Sequence, residues 1–285
     1  MTKVAFLGPA GTYTEDALRV AKGDAAIEAV PHRTVFDAIR AVARGEAALA
    51  FVPFENSIEG AVRPTLDTLA FDATSVTIAG EHDQRIRHSL IAREEIPLEE
   101  IEAVLSHPQA SAQCARFLRE ALPGARTREV ESTAEAVRQV ASSERPWAAL
   151  GAGTAAEIYG GVVLREGVED TEQNVTRFVW VAPEGTRASG HGPWRTTLIF
   201  SELGEDHPGA LVDALWEFSR RDVNLTRIES RPRRQKLGRY MFFVDLEGPD
   251  DDPVVAEAIE ALRGKAESVR ILGSYPVNAG GIPEP

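Results

Sequence analysis

Residues 174–182 read NVTRFVWVA, a run in which a hydroxyl and a guanidinium sit among Val, Phe and Trp. Such a run reads as a buried strand. Strand side chains repeat with period two, so Thr176, Phe178 and Trp180 share one face while Val175, Arg177, Val179 and Val181 share the other. Thr176 and Arg177 therefore point apart. A buried polar group without a partner costs about 1 to 3 kcal/mol, so each of the two needs either a structural partner or a ligand.

What precedes this strand gives it its place in the fold. Short apolar runs alternate with amphipathic segments: KVAFLG, a helix from about Thr12, AIEAV, a helix from Thr34 to Ala43, then ALAFVPF. A second set follows with SLIAR, AVLSH, a helix from Pro108 to Ala121, TREVE, a helix from Ser132 to Ala141, then WAALGAG. This is the alternation of an α/β sheet with helices on its faces. The strand at 174–182 is left over after both sets, and the expectation is that it crosses back into the first. That gives lobe one at about 1–80 plus 168–182, lobe two at about 81–167, and a cleft between them.

Residues 183–194 read as a linker, because Pro, Gly and Ser cluster in PEGTRASGHGP and periodicity disappears. Residues 195–275 then carry TTLIF, a helix from Gly209 to Arg221, LTRIES, RYMFFVDL, a helix from Pro253 to Arg263, and VRILGSY. Leu211, Leu215 and Phe218 place an apolar stripe on the first of these helices. The order βαββαβ is a ferredoxin-like split unit. Residues 276–285 read as a disordered tail.

Bulk properties narrow the class. With 285 residues the chain has room for two domains and a sizeable core. Its formal charge is −13, and residues 1–185 hold 18 basic against 28 acidic side chains. Neither part has the basic excess of a nucleic-acid binder, so an anion would be held by local Arg side chains and oriented amides. Cys114 is the sole cysteine, which excludes an intrachain disulfide and a thiolate cluster and fits a buried thiol in a reducing cytoplasm. The start MTKVAFLGPAG has no signal-peptide pattern, and no run of 18 apolar residues suggests a membrane span. The six His show no HxxxH spacing, and GxSxG, P-loop and GxGxxG motifs are missing.

Three segments can carry chemistry. GPAGTYTEDA (8–17) leads from a strand into a helix, where amides can cradle a carboxylate and Thr12 or Thr14 can cap. VPFENSIEGAV (52–62) sets Glu55, Asn56 and Ser57 at the carboxyl end of an apolar strand, where open α/β sheets bind ligands. In SHPQASAQC (106–114), Pro108 suits a first helical turn and Gln109 and Gln113 lie one turn apart.

Taken in order, GPAGTYTEDA, PFENSIEG, SHPQASAQC, the YGG at 159–161 and EDTEQNVTRF resemble prephenate dehydratase. GALV (209–212) and ESRP (229–232) resemble an ACT regulatory module. The resemblance implies a periplasmic-binding-protein-like catalytic domain of two lobes at 1–182 and an ACT domain at 195–275. It implies conversion of prephenate to phenylpyruvate with loss of carbon dioxide and water, with neither metal nor organic cofactor. Thr176 matches the threonine of the family's TRF motif, the proposed acid, and Glu55 and Asn56 join it as catalytic candidates. Thr12, Ser57, Ser106, Gln113, Arg177 and Phe178 are the implied substrate contacts, although alternation favours a supporting role for Arg177. The ACT resemblance implies phenylalanine as effector at Gly209, Ala210, Leu211, Val212, Glu229, Ser230, Arg231 and Pro232, and a homodimer or homotetramer joined through these domains. A binding protein resembling periplasmic solute receptors, and an enzyme acting on arogenate, remain alternatives.

Overall fold

The computed structural model describes residues 1–204 and 207–283. Lobe one opens with β1 (Thr2–Leu7), α1 (Tyr13–Ala21), β2 (Ile27–His32), α2 (Val35–Ala43), β3 (Leu49–Asn56), β4 (Gly60–Ala61), α3 (Arg63–Asp67) and β5 (Val76–Arg85). Capping sets the helix starts. The Thr12 hydroxyl accepts from the Glu15 amide and the Thr34 hydroxyl from the Asp37 amide, each satisfying a donor that the first turn leaves free. Behind these caps Ala17, Leu18 and Ala21 of α1, and Ala38, Ile39 and Val42 of α2, are buried.

Lobe two holds β6 (Ser89–Ala92), β7 (Ala103–Ser106), α4 (Pro108–Gln113), α5 (Ala115–Ala121), β8 (Arg126–Glu129), α6 (Thr133–Ala141), β9 (Trp147–Gly151), α7 (Gly153–Tyr159) and β10 (Val162–Glu166). The chain then returns as β11 (Val175–Pro183). In lobe one the strand order is β2-β1-β3-β11-β5, with β4 beside β3, and β11 runs antiparallel to both neighbours. Lobe two has the order β10-β6-β9-β7-β8. Two crossings, at 86–88 and 167–174, join the lobes.

Two expected boundaries change. Lobe one extends to Arg85 rather than about residue 80, because β5 pairs with β11 along its whole length, from Val76 to Arg85. The helix expected over 108–121 breaks at Cys114, whose backbone leaves the helical region. Asp170, on the returning crossing, sits at the break. Its amide donates to the Gln113 carbonyl at 2.7 Å, and its carboxylate accepts from the Arg116 amide, capping the second piece.

The last domain comprises β12 (Trp194–Ser201), α8 (Ala210–Ser219), β13 (Leu225–Pro232), β14 (Tyr240–Glu247), α9 (Pro253–Arg263) and β15 (Ser268–Pro276), with strand order β13-β14-β12-β15. Both helices cover one face of this antiparallel sheet, where Ala214, Phe218, Val255, Ile259 and Leu262 meet Leu198, Phe200, Val244 and Leu246. The other face docks on lobe one. Met241, Phe243, Leu272 and Tyr275 share a core with Val52, Phe54, Ile78, Val179 and Val181.

The segment after β15 is ordered against lobe one, which corrects the expectation of a disordered tail. The Asn278 side chain accepts from the Asp83 amide at 2.8 Å and donates to the Asp83 carboxylate at 2.9 Å. Ile282 packs on the cluster that contains Phe178 and Trp180. Residues 284 and 285 of the expected tail lie outside the described residues.

Candidate active site

A cavity of about 1310 Å³ lies between the lobes. Lobe one lines it with Thr12, Tyr13, Arg33 and Asn56, lobe two with His107, Gln109 and Gln113, and the crossings with His88 and Asn174. Thr176 and Phe178 of β11 also face it. The Phe178 ring stacks on Phe51 at 5.2 Å, which fixes an apolar wall beside the Thr176 hydroxyl.

Thr176 and Asn56 are register partners across the β3/β11 ladder. Asn56 Nδ2 donates to Thr176 Oγ1 and to Asn174 Oδ1, both at 2.8 Å. The amide cannot turn round, because Asn56 Oδ1 accepts from the amides of Ile58 and Glu59, each at 3.0 Å. Asn174 Nδ2 in turn donates to Gln113 Oε1 at 3.0 Å. With that oxygen as acceptor, His88 Nε2 must donate to it at 2.8 Å, leaving His88 Nδ1 to accept from the Tyr13 hydroxyl at 2.5 Å. The polar chain thus runs from Tyr13 to Thr176 with one consistent set of donors. It also ties lobe one to lobe two through Gln113.

Burial holds the His88 ring below its ordinary pKa, partly opposed by the Gln113 hydrogen bond and by Glu169. Burial also raises the Tyr13 phenol well above its usual value. Both groups are therefore neutral near pH 7. Gln113 Nε2 is buried and has no protein acceptor, so its two N–H donors remain for a ligand. Among the described residues, no group of three His, Cys, Asp or Glu is placed to hold a metal ion.

Several expected contacts lie elsewhere. Glu55 precedes Asn56 on β3, so alternation turns it to the back of the sheet, where it pairs with Arg177 at 3.0 Å and Arg227 at 3.4 Å. Arg177 is likewise on the back, 2.7 Å from Asp245, and does not line the cavity. The Ser57 hydroxyl donates to the Gln173 carbonyl and accepts from the Val175 amide, which fastens the entrance of β11. Ser106 is fully buried with its hydroxyl toward the Leu150 carbonyl. Thr12 does face the cleft, but its hydroxyl proton goes to the Leu7 carbonyl at 3.1 Å. The Gly11 amide, one of those expected to cradle a carboxylate, donates to Glu15 at 2.7 Å.

Tyr13, His88 and Asn174 are not among the sequence candidates. Tyr13 sits inside GPAGTYTEDA and Asn174 opens NVTRF, so both lie within quoted motifs. His88 lies on the first crossing, where no periodicity points to it.

In the ferredoxin-like domain Gly209, at φ 94°, precedes α8, which begins Ala210, Leu211, Val212. Glu229, Ser230, Arg231 and Pro232 end the edge strand β13. Met241 of β14 pairs with Ser201 on one side and Arg231 on the other, so the segment leading into α8 and the end of β13 come to the same end of the sheet. Arg231 is already engaged, because its guanidinium makes two bonds, of 3.0 and 2.8 Å, to Asp67 of lobe one. It is a lobe-to-domain contact in this chain rather than a free effector ligand.

A two-lobed α/β domain with a polar cleft, carrying a docked ferredoxin-like domain, defines a cleft enzyme with an attached regulatory module. The chain belongs to the prephenate dehydratase family: the family model for prephenate dehydratase matches residues 4–186 and that for the ACT domain matches 197–264. A prephenate dehydratase of Mycobacterium sp. (strain JLS) is 41% identical over 296 residues, covering 100% of this chain and 92% of that protein. The structure of prephenate dehydratase from Arthrobacter aurescens in complex with L-Phe has a TM-score of 0.89 and 39% identity, covering 99% of this chain and 93% of that one. A structure described as GqqA, a novel type of quorum quenching acylase, has a TM-score of 0.85 and 33% identity, covering 96% of this chain and 98% of that one.

Proposed function

We propose that this chain converts prephenate to phenylpyruvate in phenylalanine biosynthesis. The observation that carries the reading is the Thr176 hydroxyl, which accepts from Asn56 Nδ2 at 2.8 Å beside the Phe178 wall of the cleft. Because its oxygen receives a hydrogen bond, its own proton is directed elsewhere. In the reaction the bond from the ring to its carboxylate carbon breaks, the electron pair enters the ring, and the ring C–O bond breaks. Hydroxide leaves and takes up a proton as water. A donor already positioned at the leaving oxygen strengthens as charge builds there. Asn56 stabilises the charge that then develops on Thr176 Oγ1.

The acylase-like relative raises a second reaction class, which needs a nucleophile activated by a base. Thr176 meets a donor, Asn56, in place of a base, and His88 is committed to Tyr13 and Gln113. This geometry favours the dehydratase. Purified protein given prephenate should produce phenylpyruvate, followed by absorbance; hydrolysis of an acyl amide without prephenate turnover would reject the reading.

The effector assigned to the ACT domain is phenylalanine, with its carboxylate at the start of α8 and its ammonium near Glu229. Partner copies would meet through β13, an edge strand, and through the exposed Val212, Trp216 and Ile228. That supports a homodimer or homotetramer. No helix among the described residues is long and apolar enough to cross a membrane, and the buried free thiol of Cys114 supports a cytoplasmic setting.

A further inference from the structure

Directly behind the Asn56–Thr176 pair lies a cluster of six charges, with Glu81, Arg177 and Asp245 buried at its centre, that the proposed chemistry does not use. Glu55 and Arg177 are register partners on β3 and β11, one residue from Asn56 and Thr176 and on the opposite face. Glu81 of β5 completes the contribution of lobe one. The ferredoxin-like sheet supplies Arg195, Arg227 and Asp245. Arg177 lies 2.7 Å from Asp245, 3.0 Å from Glu55 and 3.5 Å from Glu81. Arg195 reaches Glu81 at 2.5 Å, and Arg227 reaches Glu55 at 3.4 Å.

Three cations face three carboxylates, so the cluster is balanced only when the two sheets are docked. Arg177 and Arg227 both lie over the Phe54 ring, at 4.8 and 4.9 Å. Thr197 donates to the second Asp245 oxygen at 2.8 Å, which fixes that carboxylate from its own domain. A buried charge is costly once a partner moves, and Asp245, at 2.7 Å, is the nearest of the three carboxylates around Arg177, so a shift of Asp245 draws the guanidinium against its hold on Glu55 and Glu81. In an extended strand that displacement passes through the backbone to Thr176. The pairing of β11 with β3 shifts register between Arg177 and Phe178, leaving Phe54 of β3 as the extra residue, so the irregularity lies on β3 directly before Glu55 and Asn56, while β11 stays in register with β5 from Val175 to Trp180.

We propose that Arg177, Glu55 and Asp245 are positioning residues through which the ferredoxin-like domain sets the geometry of the Asn56–Thr176 pair, and through which an effector bound to that domain alters the rate. This rests on the dehydratase and effector reading above. Coupling here needs no closure of the lobes, because the regulatory sheet touches the back of the reacting strand itself.

The test uses the full chain with Asp245→Asn and Glu55→Gln, both of which keep shape and remove charge. Wild-type turnover of prephenate and its response to phenylalanine are measured first, and their absence would defeat the underlying reading rather than this one. Expected for each variant is a fall in kcat of about tenfold with KM changed less than about threefold. Phenylalanine binding, measured by calorimetry, should stay within about threefold of wild type while its effect on rate largely disappears. The double variant should be little worse than the poorer single one, because the two act through the same contact. Folded variants with wild-type kcat and a full phenylalanine response would overturn the proposal, as would loss of phenylalanine binding in step with activity. If Asp245→Asn does not fold, Glu55→Gln still decides the question, since the Glu55 side chain is 35% exposed.

Discussion

Asn56 and Thr176 face each other across the β3/β11 ladder, with 2.8 Å between Asn56 Nδ2 and Thr176 Oγ1. The donor is rigid, since its own carbonyl is held by two backbone amides. Removing the hydroxyl therefore removes the positioned proton without disturbing the partner. Thr176→Ala should lower kcat by about 10² to 10⁴-fold, and thermal unfolding should move by only a few degrees, roughly what a lost hydrogen bond of about 1 kcal/mol implies. Steady-state rates and a melting curve check both. Thr176→Ser, which keeps the hydroxyl, should retain most of the activity.

Asn56→Asp separates what that side chain accepts from what it donates. A carboxylate can still accept from the Ile58 and Glu59 amides, so the turn survives, but it can donate to neither Thr176 Oγ1 nor Asn174 Oδ1. The expected result is a fall in kcat of about ten- to a thousandfold, the range spanned by loss of a preorganised donor, with the circular dichroism spectrum unchanged. Wild-type turnover in Asn56→Asp would remove Asn56 from the mechanism.

His88 predicts an acid sensitivity. Its folded pKa lies below the ordinary value of 6.5 because burial disfavours the charged ring. The unfolded ring takes up its proton first as pH falls, so the unfolded state binds more protons in that window. The stability His88 supplies is complete above about pH 6.5 and declines as pH falls toward its folded pKa. The drop in melting temperature between about pH 7.5 and about pH 5.5 should thus be smaller for His88→Gln than for wild type. An equal drop in both proteins would show that the ring is not held neutral.

Local pattern reveals much of this site, and its limits are physical. Alternation separates Thr176 from Arg177 and places Phe178 beside the hydroxyl, because period two is a property of the strand alone. The same rule turns Glu55 away from Asn56, but a cluster of adjacent polar residues at a strand end reads as one ligand site unless the strand is followed to its last residue. Tyr13 and His88 meet only because the first crossing passes the start of α1, a contact between positions 75 residues apart that no local period encodes. The docking of the regulatory sheet is equally invisible in the sequence. Its inward residues Met241, Phe243 and Tyr275 read as an ordinary core until lobe one supplies the other half.

That docking can be tested at one glycine. A Cβ placed on Gly273 would lie 2.0 Å from the Ile78 carbonyl oxygen and 2.8 Å from its carbonyl carbon, both backbone atoms that no rotamer change can move. β15 and β5 approach this closely because Gly273 has no side chain. Gly273→Ala must push the ferredoxin-like sheet away from lobe one, and overpacking of this kind typically costs about 1 to 3 kcal/mol. At the scaling for large domains, the melting temperature should fall by roughly 2 to 12 °C. Because the charge cluster around Arg177 spans the same contact, kcat should fall as well, even though residue 273 lines no part of the cleft. A variant with wild-type melting and wild-type kcat would mean that the two sheets do not pack this closely in solution.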